Sequence, residues 1–168
     1  WTPAITIFGE RPNCTISQAT TCRWAGHTSI RGVVQRSMET KSQVLATIEA
    51  MTGSFNRGDV DGVMRTYEPG AVVLGQPGAP VQGDAPLRAM FAEFIAAKAR
   101  FTFDAHEVIA AGDVALHLTP WKMTGVGPDG SPITASGLSL AVLRRQPDGR
   151  WLMVIDNPYG DAIMQGAR

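Results

Sequence analysis

Histidine and cysteine are scarce in this chain of 168 residues, with three of the first and two of the second. Cys14 and Cys22 have no second cysteine pair and no histidine cluster beside them, so the roughly four closely spaced ligands of a zinc site are missing. His27, His106 and His117 are scattered and make no metal site of their own, and neither metal nor cofactor is expected. A disulfide between the two cysteines is open, but a reduced, cytoplasmic setting is the default for so few thiols. Charge of either sign is also not in excess: the formal net charge is zero, and charged residues make up 18% of the chain. A balanced chain has no electrostatic footprint for nucleic acid, and no basic stretch suits an anionic membrane surface. Nor is there the self-repulsion that keeps proteins apart, which permits self-association. No apolar run approaches the roughly 18 residues needed to span a bilayer. The opening WTPAITIFGERPNC lacks a basic region and a small-residue cleavage site, so it does not read as a secretory signal.

What is present is an ordinary globular share of hydrophobic residues, 44%, in a length that suits one domain with a real core. The first 37 residues carry Arg11, Arg23, Arg31 and Arg36 against the single acid Glu10, without helical or strand periodicity. At Met38 the character changes to METKSQVLATIEAM, a helix opening. This change predicts an irregular extension over 1–37 upstream of a natural start at Met38, with the domain over 38–168. A native mass that includes Trp1 to Ser37 would refute that start.

From Thr40 the pattern is legible. Val44, Leu45, Ile48, Met51 and Phe55 follow helical spacing, and Asn56-Arg57-Gly58 closes the helix. Asp59 begins a short second helix with Val60, Val63, Met64 and Tyr67 on its inner stripe, stopped by Glu68-Pro69-Gly70. Ala71 to Leu74 is a strand, Gly75 to Pro80 a turn, and Val81-Gln82-Gly83 another extended piece. Asp84 is the expected N-cap of a third helix that carries Leu87, Met90, Phe91, Phe94 and Ile95 and ends near Arg100. Strands follow over 101–110, 114–125, 133–145 and 151–156, with turns at Gly112-Asp113, Pro128-Asp129-Gly130 and Pro147-Asp148-Gly149. Helices gathered before an antiparallel run indicate an α+β fold with helices on one face of a bent sheet. Both faces of the late strands are apolar: Trp151, Met153 and Ile155 alternate with Leu152 and Val154. A sheet with one wet face alternates polar and apolar, so the second face needs cover, and an identical sheet from another subunit is the expected one.

Phe55-Asn56-Arg57-Gly58-Asp59, the stretch Tyr67 to Val72, Gly83-Asp84, Gly112-Asp113-Val114-Ala115-Leu116, Trp121, Gly125, Asp129-Gly130 and the tail Val142 to Trp151 form an ordered series. Over about Lys41 to Gly160, the chain resembles the SnoaL-like, ketosteroid-isomerase-like group of the nuclear-transport-factor-2-like superfamily. That resemblance implies a cystatin-like cone, a curved antiparallel sheet with three helices on its concave face. It also implies an apolar ligand cavity and a homodimer through the outer sheet face. Its members include isomerases, cyclases, dehydratases, hydrolases and non-enzymatic binders, so fold alone names no reaction.

Alignment on the shared motifs puts the positions of the steroid isomerase's base, tyrosine donor and acid donor at Gly75, near Met51 and near Ala141. None carries the required group, which argues against classical isomerisation. Cyclase-like members use one acid–base residue deep in the pocket, and Asp156 is the candidate here. Simple alternation places it on one face with Leu152 and Val154. It is either an acid–base group with a raised pKa or a strand end that bonds nearby backbone. Tyr67, Leu116, Leu118, Ser139 and Val154 are expected to line the ligand space, with Tyr67 either a donor at the rim or helix packing. The same register turns His117 outward, toward the dimer, and leaves His106 on a solvated strand face. Gly125 to Gly130 has no following helix and no Lys-Ser/Thr, so it is a hairpin and not a phosphate loop. Arg144-Arg145 reads as a solvated strand end. The expected function is binding of a small apolar molecule, with or without acid–base chemistry. The rival is a dimerisation domain whose interior is filled by Met51, Met90, Phe91, Phe94 and Met153.

Overall fold

The computed structural model describes residues 30–127 and 129–165. Cys14, Cys22, His27 and Pro128 therefore lie outside the described residues. Helix α1 runs from Ile30 to Arg57, so it crosses the boundary expected at Met38. Val44, Ile48 and Phe55 bury its inner stripe, whereas residues 34–39 are exposed. Helical periodicity was not legible there because no buried stripe marks residues 34–39. Gly58, at φ +78°, ends the helix, with its N–H donating to Phe55 O at 2.9 Å.

Asp59 caps the short α2 (Val60–Met64), its Oδ1 accepting from Gly62 N at 2.8 Å. Tyr67 does not extend this helix; it opens strand β1 (Tyr67–Gln76), which is longer than the sequence pattern suggests. β2 (Ala79–Gln82) folds back on β1. α3 (Asp84–Ala96) has Gly83, at φ +100°, as its N-cap, with no side-chain capping bond. Asp84 instead pairs with Arg88 one turn on, at 2.8 Å, and the helix ends four residues before Arg100.

The stretch expected as one strand over 101–110 is two, β3 (Arg100–Phe103) and β4 (Glu107–Ala111). Both pair with β5 (Val114–Val126), and the chain between them carries one residue more than β5 opposes, which breaks the ladder. β6 (Pro132–Arg145) and β7 (Trp151–Asn157) complete a seven-stranded sheet in the order β2-β1-β7-β6-β5-β3, with β4 beside β5. All pairs are antiparallel except β1–β7, which is parallel and departs from the fully antiparallel sheet expected. The chain ends its described part in a short α4 (Ala162–Gln165).

α1 and α3 lie across the inner face of the sheet, and α2 packs mainly on those two helices. Between the layers sits one core, from Val44 and Ile48 to Leu143, Trp151 and Met153. Burial of this apolar surface, at about 25 cal/mol per Å², is the main force that holds helices to sheet.

Candidate functional site

β7 decides where the chemistry points. Along the β6–β7 pair, Val142 opposes Ile155 and the next residue, Leu143, opposes Met153, which leaves Val154 as the extra residue of a bulge. The bulge reverses the alternation. Trp151 and Met153 face inward before it, and Asp156 faces inward after it, while Ile155 is exposed. Asp156 therefore shares its face with Trp151 and Met153, not with Leu152 and Val154 as simple alternation has it.

The inward carboxyl meets two of the expected residues. Tyr67, buried at the start of β1, donates its hydroxyl to Asp156 Oδ2 at 2.7 Å. Ser139 Oγ lies 3.5 Å from Asp156 Oδ1, a marginal contact that leaves Oδ1 the less occupied oxygen. Burial raises the Asp156 pKa, against the lowering effect of bonds from Tyr67 and Ser139. Burial, and then the nearby Asp156 charge, hold the Tyr67 phenol well above its ordinary range, so it stays a donor.

Asp156 and Ser139 form one wall of a cavity of about 160 Å³. Met51 and Phe55 of α1 roof it, with Met90, Phe91 and Phe94 of α3. Phe101 and Phe103 of β3 and Trp121 of β5 close a side. Pro158 and Tyr159, just beyond β7, close the end. The other polar groups on the wall are already engaged by backbone. Thr52 donates to Ile48 O at 2.9 Å, Trp121 Nε1 to Pro158 O at 2.6 Å, and Tyr159 OH to Gly75 O at 2.9 Å. Asp156 is thus the polar focus of an otherwise greasy space. Of the three isomerase positions, Met51 lines the cavity, Gly75 O accepts the Tyr159 hydroxyl, and Ala141 is the register partner of Asp156.

Leu116, Leu118 and Val154 do not line this space. On β5 the buried residues are Ala115, His117, Thr119 and Trp121, and the leucines between them face the outer side. His117 is therefore an inner residue, 1% exposed, contrary to the outward position expected of it. The outer side of β5 carries Val114, Leu116 and Leu118, and the alignment that turned the leucines inward had the register reversed. His106 is not on a solvated face either: its ring stacks on His117, with Nδ1 2.9 Å from His117 Nε2. Burial, and then His106, lower the His117 pKa from 6.5 to about 4. Trp121, Phe101, Phe103 and Tyr159 were not foreseen on the cavity wall. The Phe-x-Phe spacing was a usable signal, but nothing local marked Tyr159. Among the described residues, no group of three or more His, Cys, Asp or Glu could hold a metal, and no helix is long and apolar enough to cross a membrane.

The sequence model of the SnoaL-like domain matches residues 48–153, more than half of the chain and the whole of the sheet up to β7's bulge. The chain belongs to the SnoaL-like family. No curated protein matches this SnoaL-like chain in sequence. Solved structures resemble its fold. An NTF2-like protein with a cystatin-like fold from Novosphingobium aromaticivorans is 16% identical, with TM-score 0.67, over 84% of this chain and 97% of that one. A ketosteroid isomerase-like protein from Erwinia carotovora is 21% identical, with TM-score 0.62, over 69% and 92%. A protein from Streptomyces avermitilis, provisionally named a dehydratase of the NTF2-like family, is 19% identical, with TM-score 0.61, over 69% and 92%. At these identities the likeness of the SnoaL-like chain to each is one of fold.

Proposed function

We propose that this SnoaL-like domain binds a small, mainly apolar molecule in its cavity and that Asp156 transfers a proton to or from it. The observation that carries this reading is a buried carboxyl, held by Tyr67, on the wall of an aromatic-lined cavity. Size limits the ligand. An apolar cavity of roughly 150 Å³ holds a molecule such as benzene, so about 160 Å³ suits one six-membered ring and excludes a steroid. Because Thr52, Trp121 and Tyr159 are engaged by backbone, the ligand's hydrogen-bonding group is placed at Asp156 Oδ1, beside Ser139.

The carboxyl's raised pKa suits the role, since burial eases protonation of a group that must both accept and return a proton. As carboxylate, Asp156 accepts a proton through Oδ1 while Tyr67 steadies the charge on Oδ2. As acid, it returns that proton to the product. This is the chemistry shared by isomerases, cyclases and lyases that act without a metal. The rival reading of a filled interior is not favoured, because Met51, Met90, Phe91 and Phe94 wall the cavity without filling it.

The same reading pairs two copies through the outer face of the sheet. Exposed Ile155 there has Val72 and Val142 as its register partners on the flanking strands. An apolar sheet face of this kind is what isologous dimers cover.

The test combines ligand and residue. Native mass spectrometry of the purified protein should detect a bound single-ring molecule, and Asp156→Asn should abolish its turnover without lowering the melting temperature. Turnover that survives the substitution rejects the acid–base role.

A further inference from the structure

We propose that Pro158 and Tyr159 are the movable wall of the cavity, and that the Tyr159 ring sets the size of the ligand admitted. Among the described residues that line the cavity, these two alone lie outside a helix or strand. Every other lining side chain is carried by α1, α3 or the sheet.

The placement follows from the end of β7. Asn157 Oδ1 accepts from Tyr159 N at 3.0 Å, which turns the chain out of the strand direction, and Pro158 has no N–H to continue the ladder. Beyond β7, the neighbouring strands run on without it. The segment plugs that gap, and its bonds reach three strands. Tyr159 OH is bonded to Gly75 O of β1, Gly160 N donates to Leu138 O of β6 at 2.8 Å, and Trp121 Nε1 of β5 donates to Pro158 O. Leu138 N donates to Asp161 Oδ1 at 3.1 Å.

These bonds are few and are not part of a continuous ladder. Local opening selects such segments, because they detach without disturbing the core. When this one lifts, the cavity opens beside Asp156, two residues upstream. When it closes, Tyr159 bounds the volume and its hydroxyl latches on a backbone carbonyl. Among the described residues that follow, α4 places Ile163 and Met164 outward, at 80% and 77% exposure, so these two do not anchor the segment in the core.

The size limit rests on the ligand-binding reading above; the mobility does not. Two measurements separate them. Titration calorimetry with phenol (one ring) and 2-naphthol (two fused rings) reads the size limit in the wild type and in Tyr159→Ala, with Tyr159→Leu as a variant that keeps bulk. Hydrogen exchange at the Gly160 amide and the Trp121 indole reads opening in the wild type and in Tyr159→Phe. The expected result is that the wild type takes phenol and excludes 2-naphthol, while Tyr159→Ala gains at least about tenfold in 2-naphthol affinity and Tyr159→Leu gains less. Tyr159→Phe should speed exchange at both sites together, by about fivefold or more. If phenol binds but Tyr159→Ala still excludes 2-naphthol, the specificity role is overturned. If neither probe binds any variant, the ligand reading fails, and the exchange data alone decide the wall: unchanged exchange in Tyr159→Phe overturns it, and coupled acceleration upholds it.

Discussion

The Tyr67 hydroxyl donates to Asp156 Oδ2 at 2.7 Å, which ties the first residue of β1 to the next-to-last residue of β7 inside the domain. The two strands are the parallel pair of the sheet, and the bulge at Val154 turns the carboxyl toward its partner. Backbone irregularity and side-chain chemistry thus occur at the same place, a common habit of functional sites.

Tyr67→Phe should raise the Asp156 pKa further, because it deletes a bond that favours the charged form while burial is unchanged. A buried acceptor left without its donor costs about 1–3 kcal/mol. The pKa is measured by carboxyl carbon NMR titration, and stability by urea unfolding. An unmoved pKa would show that the tyrosine does not serve the carboxyl.

Asp156 and His117 should leave opposite marks on stability against pH. The folded-state pKa of Asp156 is raised above 3.8, so its contribution is fully present below that value and is lost as pH rises through the folded pKa. Asp156→Asn cannot ionise and escapes the loss. The variant should therefore gain on the wild type as pH rises above 3.8, as read from urea midpoints. A variant that loses ground over that rise would mean that the charged carboxylate is what the fold stabilises.

His117 runs the other way. Its folded pKa, about 4, lies below 6.5, so its contribution is present above 6.5 and is lost as pH falls toward 4. For so buried a ring the loss amounts to about 3 kcal/mol. His117→Gln, which keeps a polar group facing His106, should flatten this acid limb. The check is a set of unfolding curves at pH values on either side of the window; parallel wild-type and variant profiles would refute the assignment.

These residues also show what was legible in the sequence and what was not. The α+β class, the helix–strand order after Thr40 and the inward carboxylate at Asp156 could be read from periodicity, turn residues and family likeness. The reason given for Asp156 was wrong, since alternation grouped it with Val154, and a one-residue bulge leaves no mark in a run as uniformly apolar as Trp151 to Ile155. His117 was misplaced for a related reason. On β5 the outer positions include Leu116 and Leu118 and the inner ones His117 and Thr119, the reverse of what alignment on the family motifs gave. Thr119 is tolerable inside because its hydroxyl donates to Ala105 O at 2.5 Å, a long-range bond that no local pattern reveals. Tyr67 was assigned to a helix because Val60, Val63 and Met64 extend to it at helical spacing, but its bond to Asp156 lies 89 residues away in the chain.

The outer face offers a test of assembly. Ile155 is 43% exposed between Val72 and Val142, so a lysine there would put a charge in the middle of any covered sheet surface. The proposed dimer predicts that the wild type sediments as two copies and that Ile155→Lys sediments as one, with the far-ultraviolet spectrum unchanged. A monomeric wild type at micromolar concentration would reject the pairing.

Gly160→Ala tests the seat of the Pro158–Tyr159 segment by adding a single methyl group. A Cβ at this position would fall 1.7 Å from Leu140 Cδ1 and 2.9 Å from Leu138 O. The leucine end can swing aside, but the carbonyl belongs to β6 and already accepts the Gly160 N–H at 2.8 Å. Relief therefore comes from the segment, which must rise and lengthen that bond. Overpacking of this kind costs about 1–3 kcal/mol when a whole core absorbs it, but a segment that can lift sheds much of the strain. The expected outcome is a small loss in the urea midpoint together with markedly faster exchange at the Gly160 amide and the Trp121 indole. A large global loss with no local change in exchange would mean that the segment is part of the rigid core, and slow exchange with full stability would mean that Gly160 is not seated against β6 at all.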